Sequence, residues 1–378
     1  MSVRRCLLVP LFVLAALLPF AGVSAAQDSE LEVVASDLDN PRGLAFGPWG
    51  GLYVTEAGRG GEGPCIGSVE EEGIVCAGAT GAITKIWHGK QRRVLEGLPS
   101  IAAQDTGDEA LGPQDISFSG FSAYFVVGLG GNPDLRDDLG EELGPQFGQL
   151  YKVSPFGRVR AVADLAAFEA AENPDQDQPE GAEPNSNPNS VLSRSGRRYV
   201  VDAGGNDLLK VGPTGRIRTL AVFPERLVPA PPGFPVPEIS MQAVPTAVVR
   251  GPDHALYVSQ LTGFPFPKGG AKVYRVDKRG GEPEEYESGF TNITDLAFGP
   301  DGSLYVLEFA TEGLLAEPPS GGALIRVAPD GSRTTIASEG LVAPTGVTVS
   351  RKGDIYVSNY GALAGVGEVV RIDGGGWK

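Results

Sequence analysis

The sequence predicts an all-β fold, a six-bladed β-propeller of four-stranded antiparallel blades. One phrase recurs six times, with Pro in second place in five copies, and the copies begin at Asn40, Gly112, Asn187, Val244, Asn292 and Ala343. In each copy two alternating apolar runs flank a turn rich in Gly, Pro, Asp and Ser. This pattern predicts a β-hairpin, because those residues reach the dihedral angles that a short reversal requires.

A fainter second hairpin follows most copies, so each unit supplies four strands. The units are spaced 48 to 75 residues apart, which is typical of propeller blades. The second strand of each unit is centred on an aromatic residue: Tyr53, Phe125, Tyr199, Tyr257, Tyr305 and Tyr356. A short helix is expected at Leu165–Glu172, whereas the acidic runs Asp134–Glu142 and Glu169–Glu183 are expected to form mobile loops.

The two ends of the chain are predicted to close the ring together. The last unit stops after its third strand, Glu368–Asp373, and an unassigned apolar segment begins the chain after its leader. Residues 31–36 are therefore expected to form the outer strand of the last blade. Such a closure removes an exposed sheet edge, which would otherwise be an aggregation liability.

Residues 1–26 have the features of a secretory signal peptide. Arg4 and Arg5 precede an apolar run, and small residues follow it around Ala25 and Ala26. The alternative is a membrane anchor, but the run is short and contains two prolines. Residues 27–378 are expected to form one propeller domain, secreted or otherwise outside the cytoplasm.

The charge disfavours some partners. The formal net charge is −16, and removal of residues 1–26 takes away two arginines and no acidic residue, which leaves −18. Nucleic acid and anionic lipid are therefore not expected to bind, and no membrane insertion is expected after signal cleavage. A solvated acidic surface is the simpler explanation of this charge. We expect a monomer.

Two cysteines remain outside the leader, Cys65 and Cys76. In an oxidising compartment their spacing predicts a disulfide that closes a small loop. The alternative is a metal site, which lacks partners because the only histidines are His88 and His254, both in predicted hairpin turns.

Nearly all long insertions fall in the links that share one face of the propeller, the long-loop face. They are residues 57–80, 128–147, 163–186, 222–243, 261–270 and 309–321. Loops on a rigid scaffold carry function, so this face is the predicted binding face. The alternative is neutral drift of insertions, which both faces should tolerate.

Polar residues are expected around the mouth of the central channel on that face. Carboxylates and amides there would suit Ca²⁺, which takes several oxygen ligands. The candidate metal ligands are Glu56, Asp202, Asn206, Glu308 and Asn359. The alternative is a water-filled channel whose polar residues satisfy one another.

Candidate ligand-binding residues lie at the same mouth and beside it. Arg42 and Asp115 begin first strands there, and Phe264 and Phe266 lie among prolines in a neighbouring link. The two aromatic residues are expected to wall an apolar pocket. The alternative is that they only pack their loop against the rim.

The mature chain resembles the ScyD/ScyE-type family of secreted propellers. The resemblance rests on NPRGLAFGPWGGLYVTEAG, the Cys65 to Cys76 loop, and VPTAVVRGPDHALYVSQLTGFPFPKGGAKVYRV. More distantly the blades look like NHL repeats and like gluconolactonase-like six-bladed propellers that hold Ca²⁺ in the channel. The chain lacks the catalytic histidine pair of the arylesterase-type propellers, so the resemblance implies fold and export rather than a reaction.

Three functions follow as hypotheses. The first is an exported propeller that binds a small molecule or a macromolecular partner on its long-loop face without catalysis. The second is a Ca²⁺-dependent lactonase or esterase acting at the acidic mouth of the channel. The third is a structural module of the cell envelope. With two histidines in turns, a Ser-His-Asp triad has no base, and the catalytic residues are unknown.

Overall fold

The computed structural model describes residues 30–67 and 73–374. Over these ranges six antiparallel blades form a ring, which confirms the predicted six-bladed propeller. The predicted signal peptide lies outside the described residues. Within them, no helix has the length and apolar character required to cross a membrane.

The strands follow the repeated phrases in chain order, with one strand before the first blade. The first half of the ring consists of β1 (Leu31–Leu38), β2 (Pro41–Phe46), β3 (Leu52–Glu56), β4 (Cys65–Gly67), β5 (Ile74–Trp87), β6 (Lys90–Ala103), β7 (Pro113–Ser119), β8 (Ser122–Val127), β9 (Gln149–Val153), β10 (Val159–Asp164), β11 (Pro188–Arg194), β12 (Arg197–Asp202), β13 (Asp207–Val211) and β14 (Ile217–Val222). Blade one contains β2, β3, β5 and β6, with β4 added beside β5; blades two and three contain β7 to β10 and β11 to β14.

The second half begins with a hairpin that stands outside the blades, β15 and β16. The second half of the ring, with this hairpin, consists of β15 (Arg226–Pro229), β16 (Glu238–Met241), β17 (Pro245–Arg250), β18 (Leu256–Gln260), β19 (Ala271–Val276), β20 (Glu284–Phe290), β21 (Ile293–Phe298), β22 (Leu304–Glu308), β23 (Ala323–Val327), β24 (Arg333–Ala337), β25 (Gly346–Val349), β26 (Ile355–Asn359) and β27 (Gly367–Ile372). Blades four and five contain β17 to β20 and β21 to β24.

Blade six closes the ring as predicted. Its strand order is β25, β26, β27 and then β1, which comes from the start of the chain. β1 pairs antiparallel with β27, from Leu31 opposite Ile372 to Leu38 opposite Gly367. Because Ala35 and Leu38 are 3% and 1% exposed, this strand also buries apolar side chains against its neighbours.

The core lies between blades rather than within one sheet. One cluster joins Tyr305 and Leu307 of blade five to Val357 and Val370 of blade six. Another joins β1 and β27 to Leu44 and Val54 of blade one. Alternating residues of a strand face opposite sides, so each blade packs one face against each neighbour.

Hydrogen bonds between the backbone of one blade and a side chain of an adjacent blade join the innermost strands. Three of these strands carry an acceptor in the fourth residue of the repeated phrase. The bonds run from Val191 N to Asp115 Oδ2 at 2.8 Å, from Val248 N to Ser190 Oγ at 3.2 Å, and from Val347 N to Asp295 Oδ2 at 2.7 Å. They join blades two to three, three to four, and five to six.

Hydroxyl donors join the remaining blades. The bonds run from Thr55 Oγ1 to Gln114 O at 3.1 Å, from Thr246 Oγ1 to Ile293 O at 2.8 Å, and from Thr345 Oγ1 to Pro41 O at 2.6 Å. Each partner belongs to the next blade in the ring. These bonds satisfy backbone groups on strands that have no further strand beside them.

Two helices lie in the links of blade two. α1 (Leu135–Asp138) belongs to the link between β8 and β9, and α2 (Leu165–Glu172) follows β10. α2 has the predicted bounds, and the Asp164 side chain accepts from Ala167 N at its start. The expectation of a mobile loop from Glu169 is wrong for its first part, because Glu169 and Asp175 are 2% and 3% exposed.

Closure by β1 predicts unequal effects of two aspartate substitutions on the same strand. Ala35→Asp places an unpaired charge at a 3% exposed position, whereas Val33→Asp places one at a 53% exposed position. We expect Ala35→Asp to lower the free energy of unfolding by about 3 to 5 kcal/mol and Val33→Asp to change it little. Urea denaturation measures both, and equal effects would mean that β1 does not dock in blade six.

Candidate functional site

Two carboxylates line opposite sides of the central channel. Asp115 lies on β7 of blade two and Asp295 on β21 of blade five, three blades away in a ring of six. Burial raises the pKa of Asp115 to about 6 against hydrogen bonds that lower it. Burial, and then the negative charge of Asp115, raise the pKa of Asp295 well above its usual range. Both groups are therefore easier to protonate than a surface aspartate.

The neighbouring blades leave room for these acids. A Cβ atom at Gly43 would lie 2.2 Å from the Asp115 Oδ1 atom, so only glycine fits at this position in blade one. Arg42, the preceding residue, contacts the link before blade two. Its Nη2 donates to the carbonyl oxygen of Ala110 at 2.7 Å, which ties the link before blade two to blade one.

Glu56 at the end of β3 is committed to an ion pair. Its side chain is fully buried, and its carboxylate accepts from Asp39 N at 2.9 Å and from Thr84 Oγ1 at 2.6 Å. Arg93 donates to both carboxylate oxygens, at 3.1 Å from Nε and 2.5 Å from Nη2. This two-point contact uses the acceptor capacity that a cation would need.

The other four candidate metal ligands also bond to the backbone, Asp202, Glu308 and Asn359 within their own blades and Asn206 to the start of blade four. Each accepts a hydrogen bond from a backbone N–H within one residue of the start of a repeated phrase. The bonds run from Asn187 N to Asp202 Oδ1 at 2.5 Å, Val244 N to Asn206 Oδ1 at 2.9 Å, Thr291 N to Glu308 Oε1 at 2.7 Å and Val342 N to Asn359 Oδ1 at 2.8 Å. The recurring polar residue thus anchors the link that enters each first strand.

The donor set does not favour one Ca²⁺ shared in the channel. Glu56, Glu308 and Asn359 belong to blades one, five and six, and the structure brings only Asp202 and Asn206 together, in blade three. Within the described ranges, no three His, Cys, Asp or Glu side chains already converge in a metal centre. Ca²⁺ in the central channel therefore stays a prediction.

The predicted aromatic pair belongs to an exposed apolar surface on the long-loop face. The rings of Phe264 and Phe266 lie 6.3 Å apart, and Phe234 lies 5.6 Å from Phe264. We call this surface the apolar rim; it comprises Leu227, Phe234, Val236, Phe264, Phe266, Leu314 and Leu315.

Three segments build the apolar rim: the hairpin β15 and β16 and the links 261–270 and 309–322. Arg226 of the hairpin donates to Gly270 O at 2.5 Å, and Gly263 N donates to Gln242 O at 3.0 Å. A Cβ atom at Gly313 would lie 2.8 Å from the Phe266 carbonyl oxygen, so the two links are in contact. The rim is therefore held in place by hydrogen bonds to backbone carbonyl groups and by close packing.

Over blades one and two, the described part of the long-loop face packs against itself. Cys65 and Cys76 form a disulfide with an S–S distance of 2.01 Å, which confirms the predicted bond. Ala77 of the extended β5 packs in one cluster with Leu139 and Phe147 of the link in blade two. In the described part of this face, the exposed aromatic rings are those of the apolar rim, Phe234 and Phe264.

The sequence did not single out a second exposed surface, on the opposite face. Trp49 and Phe121, in hairpin turns of blades one and two, are 79% and 59% exposed and their rings lie 5.1 Å apart. Phe156, in another turn of blade two, is 97% exposed. In the sequence, aromatic residues in hairpin turns could have indicated this surface, but the prediction of a binding face used only the lengths of the loops.

A group of buried acids in blade three was also missed. We call Glu169, Asp175, Asp202 and Asp207 the blade-three acid cluster; all four are at most 3% exposed. Burial, and then neighbouring carboxylates, raise the pKa of Glu169 to about 8. Burial is also the main cause of the raised pKa of Asp175, about 6, and of the raised pKa of Asp202 and Asp207. In the sequence, the feature that could have indicated this cluster is the pair Asp202 and Asp207, which flank a four-residue link.

Comparisons with known proteins bear on the fold alone. No family model and no curated protein matches the chain. A structural genomics protein of unknown function from Bacteroides thetaiotaomicron superposes with a TM-score of 0.52 at 11% identity, over 92% of this chain and 73% of that one. This likeness agrees with the propeller fold; the ScyD/ScyE resemblance stays a prediction.

Two further solved structures are similar at TM-scores below 0.5. A calcium-binding protein, regucalcin, from Agrobacterium tumefaciens has a TM-score of 0.48 at 10% identity, with 92% and 94% of the two chains covered. A streptogramin B lyase has a TM-score of 0.47 at 13% identity, with 93% and 100% covered. At this level of similarity neither protein's activity carries over to the chain.

The raised pKa of Asp115 predicts a pH-dependent contribution to stability. Its folded pKa of about 6 exceeds the ordinary 3.8, so the folded state holds this proton more tightly than the unfolded chain does. The contribution is fully present below the ordinary pKa and is lost as the pH rises through the folded value. We expect the unfolding free energy of the wild type, minus that of Asp115→Asn, to fall between about pH 4 and pH 6. Denaturation at a series of pH values measures this difference, and a constant value would contradict the prediction.

Proposed function

We propose that this chain is an exported propeller that binds a small amphipathic molecule at the apolar rim. The observation that carries the proposal is the rim itself, where Phe234 and Phe264 are 46% and 42% exposed although their rings contact each other. Contiguous exposed apolar side chains on a soluble protein mark binding surfaces more often than isolated ones do. The Pro-rich link and the bonded hairpin limit the conformational entropy lost on binding.

The charge of the chain selects among amphiphiles. The segments that carry the rim hold Glu238, Glu312 and Glu317 against Arg226 and Lys268, and Lys268 pairs with Glu312 at 2.5 Å. The whole chain has a net charge of −16. A ligand with a neutral or cationic polar end is therefore favoured over an anionic one. The same charge supports the expectation that nucleic acid is not a partner.

The Ca²⁺-dependent hydrolase is the alternative, and the geometry supports it less well. The strand-end acids accept hydrogen bonds from their own blades, and Glu56 is paired with Arg93. Asp115 and Asp295 likewise hold neighbouring blades together through backbone N–H groups. Binding without catalysis requires none of these groups to leave its partner.

If amphiphiles bind at the rim, substitutions of its aromatic residues should lower the affinity of the chain for them. The probes are Nile red, which is neutral, and dodecyltrimethylammonium, which is cationic. We expect the double substitution Phe234→Ser and Phe264→Ser to weaken both at least about 10-fold, because two apolar rings are lost from the contact. Fluorescence titration measures Nile red directly, and displacement of Nile red measures the cation.

Phe156→Ser is the matched control, since Phe156 is 97% exposed but lies in a turn on the opposite face. It should leave both affinities unchanged. If the control weakens binding as much as the double substitution, or if neither variant changes it, the rim is not the binding site. Circular dichroism verifies that each variant is folded.

Export is proposed from residues 1–26 and has its own test. When the full-length chain is produced in a Gram-negative host, we expect a periplasmic protein whose N-terminus follows Ala26. The Cys65–Cys76 disulfide is consistent with such an oxidising compartment. Mass spectrometry of the periplasmic and cytoplasmic fractions decides, and an uncleaved protein confined to the cytoplasm would contradict export.

A further inference from the structure

Asp207 is the most unusual buried group in the described residues. Its side chain is fully buried, and neither carboxylate oxygen has a hydrogen-bond partner. Buried polar groups are nearly always satisfied, and a buried carboxylate without a partner is costly. Protonation alone does not satisfy this group, because a carboxylic O–H still needs an acceptor.

The neighbours of Asp207 are acids and not bases. Burial, and then the charges of Asp202, Glu169 and Asp175, raise the pKa of Asp207, so these three acids lie near its carboxyl group. Among the ion pairs of the described ranges, none includes any of these four carboxylates. The cluster therefore holds four acidic groups in the protein interior with no basic side chain paired to them.

The backbone around the cluster is shaped to bring these acids close. Asp202 and Asp207 pair directly across β12 and β13, at the two ends of the link 203–206. A Cβ atom at Gly205 would lie 2.9 Å from Glu169 Oε2, so glycine allows α2 to approach the link. Asn206 Nδ2 donates to Asp175 Oδ2 at 2.9 Å and holds the fourth acid at the same place.

A groove leads to the cluster from the surface. It has a volume of about 490 Å³ and is lined by Asp175, Asp177, Leu220 and Glu282, among others. Asp175 thus belongs both to the groove and to the cluster.

We propose that the blade-three acid cluster binds a divalent cation, Ca²⁺, with Asp207 as a direct ligand and carboxylate oxygens of its neighbours around it. Every donor at the site is oxygen, which selects a hard cation over zinc or copper. Ca²⁺ tolerates irregular geometry better than Mg²⁺ does, and amide or carbonyl oxygens supply part of its six to eight ligands. No three acids of the described ranges already converge, so binding requires side chains such as Glu169 to turn toward the ion.

This site differs from a Ca²⁺ site in the central channel. It lies in the links beside blade three, and only Asp202 is common to the two sets of residues. The ion would join α2 to the link 203–206, which the Glu169 side chain already approaches at Gly205. Its role is therefore to stabilise the long-loop face rather than to act on a substrate.

The test uses the full protein, treated with EDTA, dialysed, and titrated with CaCl₂ by calorimetry and thermal unfolding. We expect one Ca²⁺ per chain and an unfolding midpoint that rises with Ca²⁺ concentration, because only the folded state assembles the site. Asp207→Asn should weaken Ca²⁺ binding at least about 10-fold. In EDTA its midpoint should equal or exceed that of the wild type, because the substitution removes an unpartnered buried carboxyl group and keeps the shape.

Glu308→Gln is the matched control, a buried acid at the end of a second strand in blade five. It should bind Ca²⁺ like the wild type. Glu169→Gln is a second cluster variant that should also lose affinity, in case Asp207→Asn does not fold. The proposal is overturned if the wild type neither binds nor is stabilised, if folded cluster variants bind normally, or if Glu308→Gln loses binding equally.

Discussion

Closure of the ring is the constraint on which the rest of this structure depends. Each innermost strand has a hydrogen-bonded neighbour on one side only, and the next blade meets it at an angle rather than as another strand. Side chains such as Asp115, Thr246 and Thr345 connect these strands by bonding to the backbone of the next blade. The final junction requires the start of the chain, because β1 completes blade six beside β27. Stability is thus shared around the ring, and the apolar clusters that span blade interfaces follow from the same closure.

The requirement for closure also explains why acidic residues recur at equivalent positions. A carboxylate at the end of a second strand accepts backbone N–H groups at the start of a repeated phrase, as Glu308 does from Thr291. Such a residue recurs for a structural reason, and periodicity alone does not separate it from a metal ligand. The position that departs from the pattern is more informative: Asp207 begins a third strand, is fully buried, and has no hydrogen-bond partner. The failure to satisfy a buried charge, rather than the number of acids, points to a ligand.

The two faces of the propeller differ in how their apolar residues are used. On the long-loop face, Ala77 and Leu139 from the insertions of blades one and two pack around Phe147, while the insertions of blades three to five leave Phe234 and Phe264 exposed. The disulfide and the hairpin β15 and β16 hold these insertions in place, so the exposed rings belong to a fixed surface. A preformed apolar surface beside acidic side chains is suited to a ligand with an apolar part and a neutral or cationic end.

The sequence by itself determined the fold class, the number of blades, the closing strand, the helix at Leu165–Glu172 and the disulfide. These features follow from local patterns: period-2 alternation, turn residues at fixed offsets, and a repeat that each blade obeys separately. Only the tertiary structure decided what each polar side chain meets. Glu56 pairs with Arg93, 37 residues away, and Asp207 meets Glu169 and Asp175 from the link of the preceding blade. Such partners come from segments whose approach depends on how blades pack, and no local pattern encodes that distance. For the same reason the acidic run from Glu169 resembled a solvated loop in the sequence, although the packed blade buries its first residues.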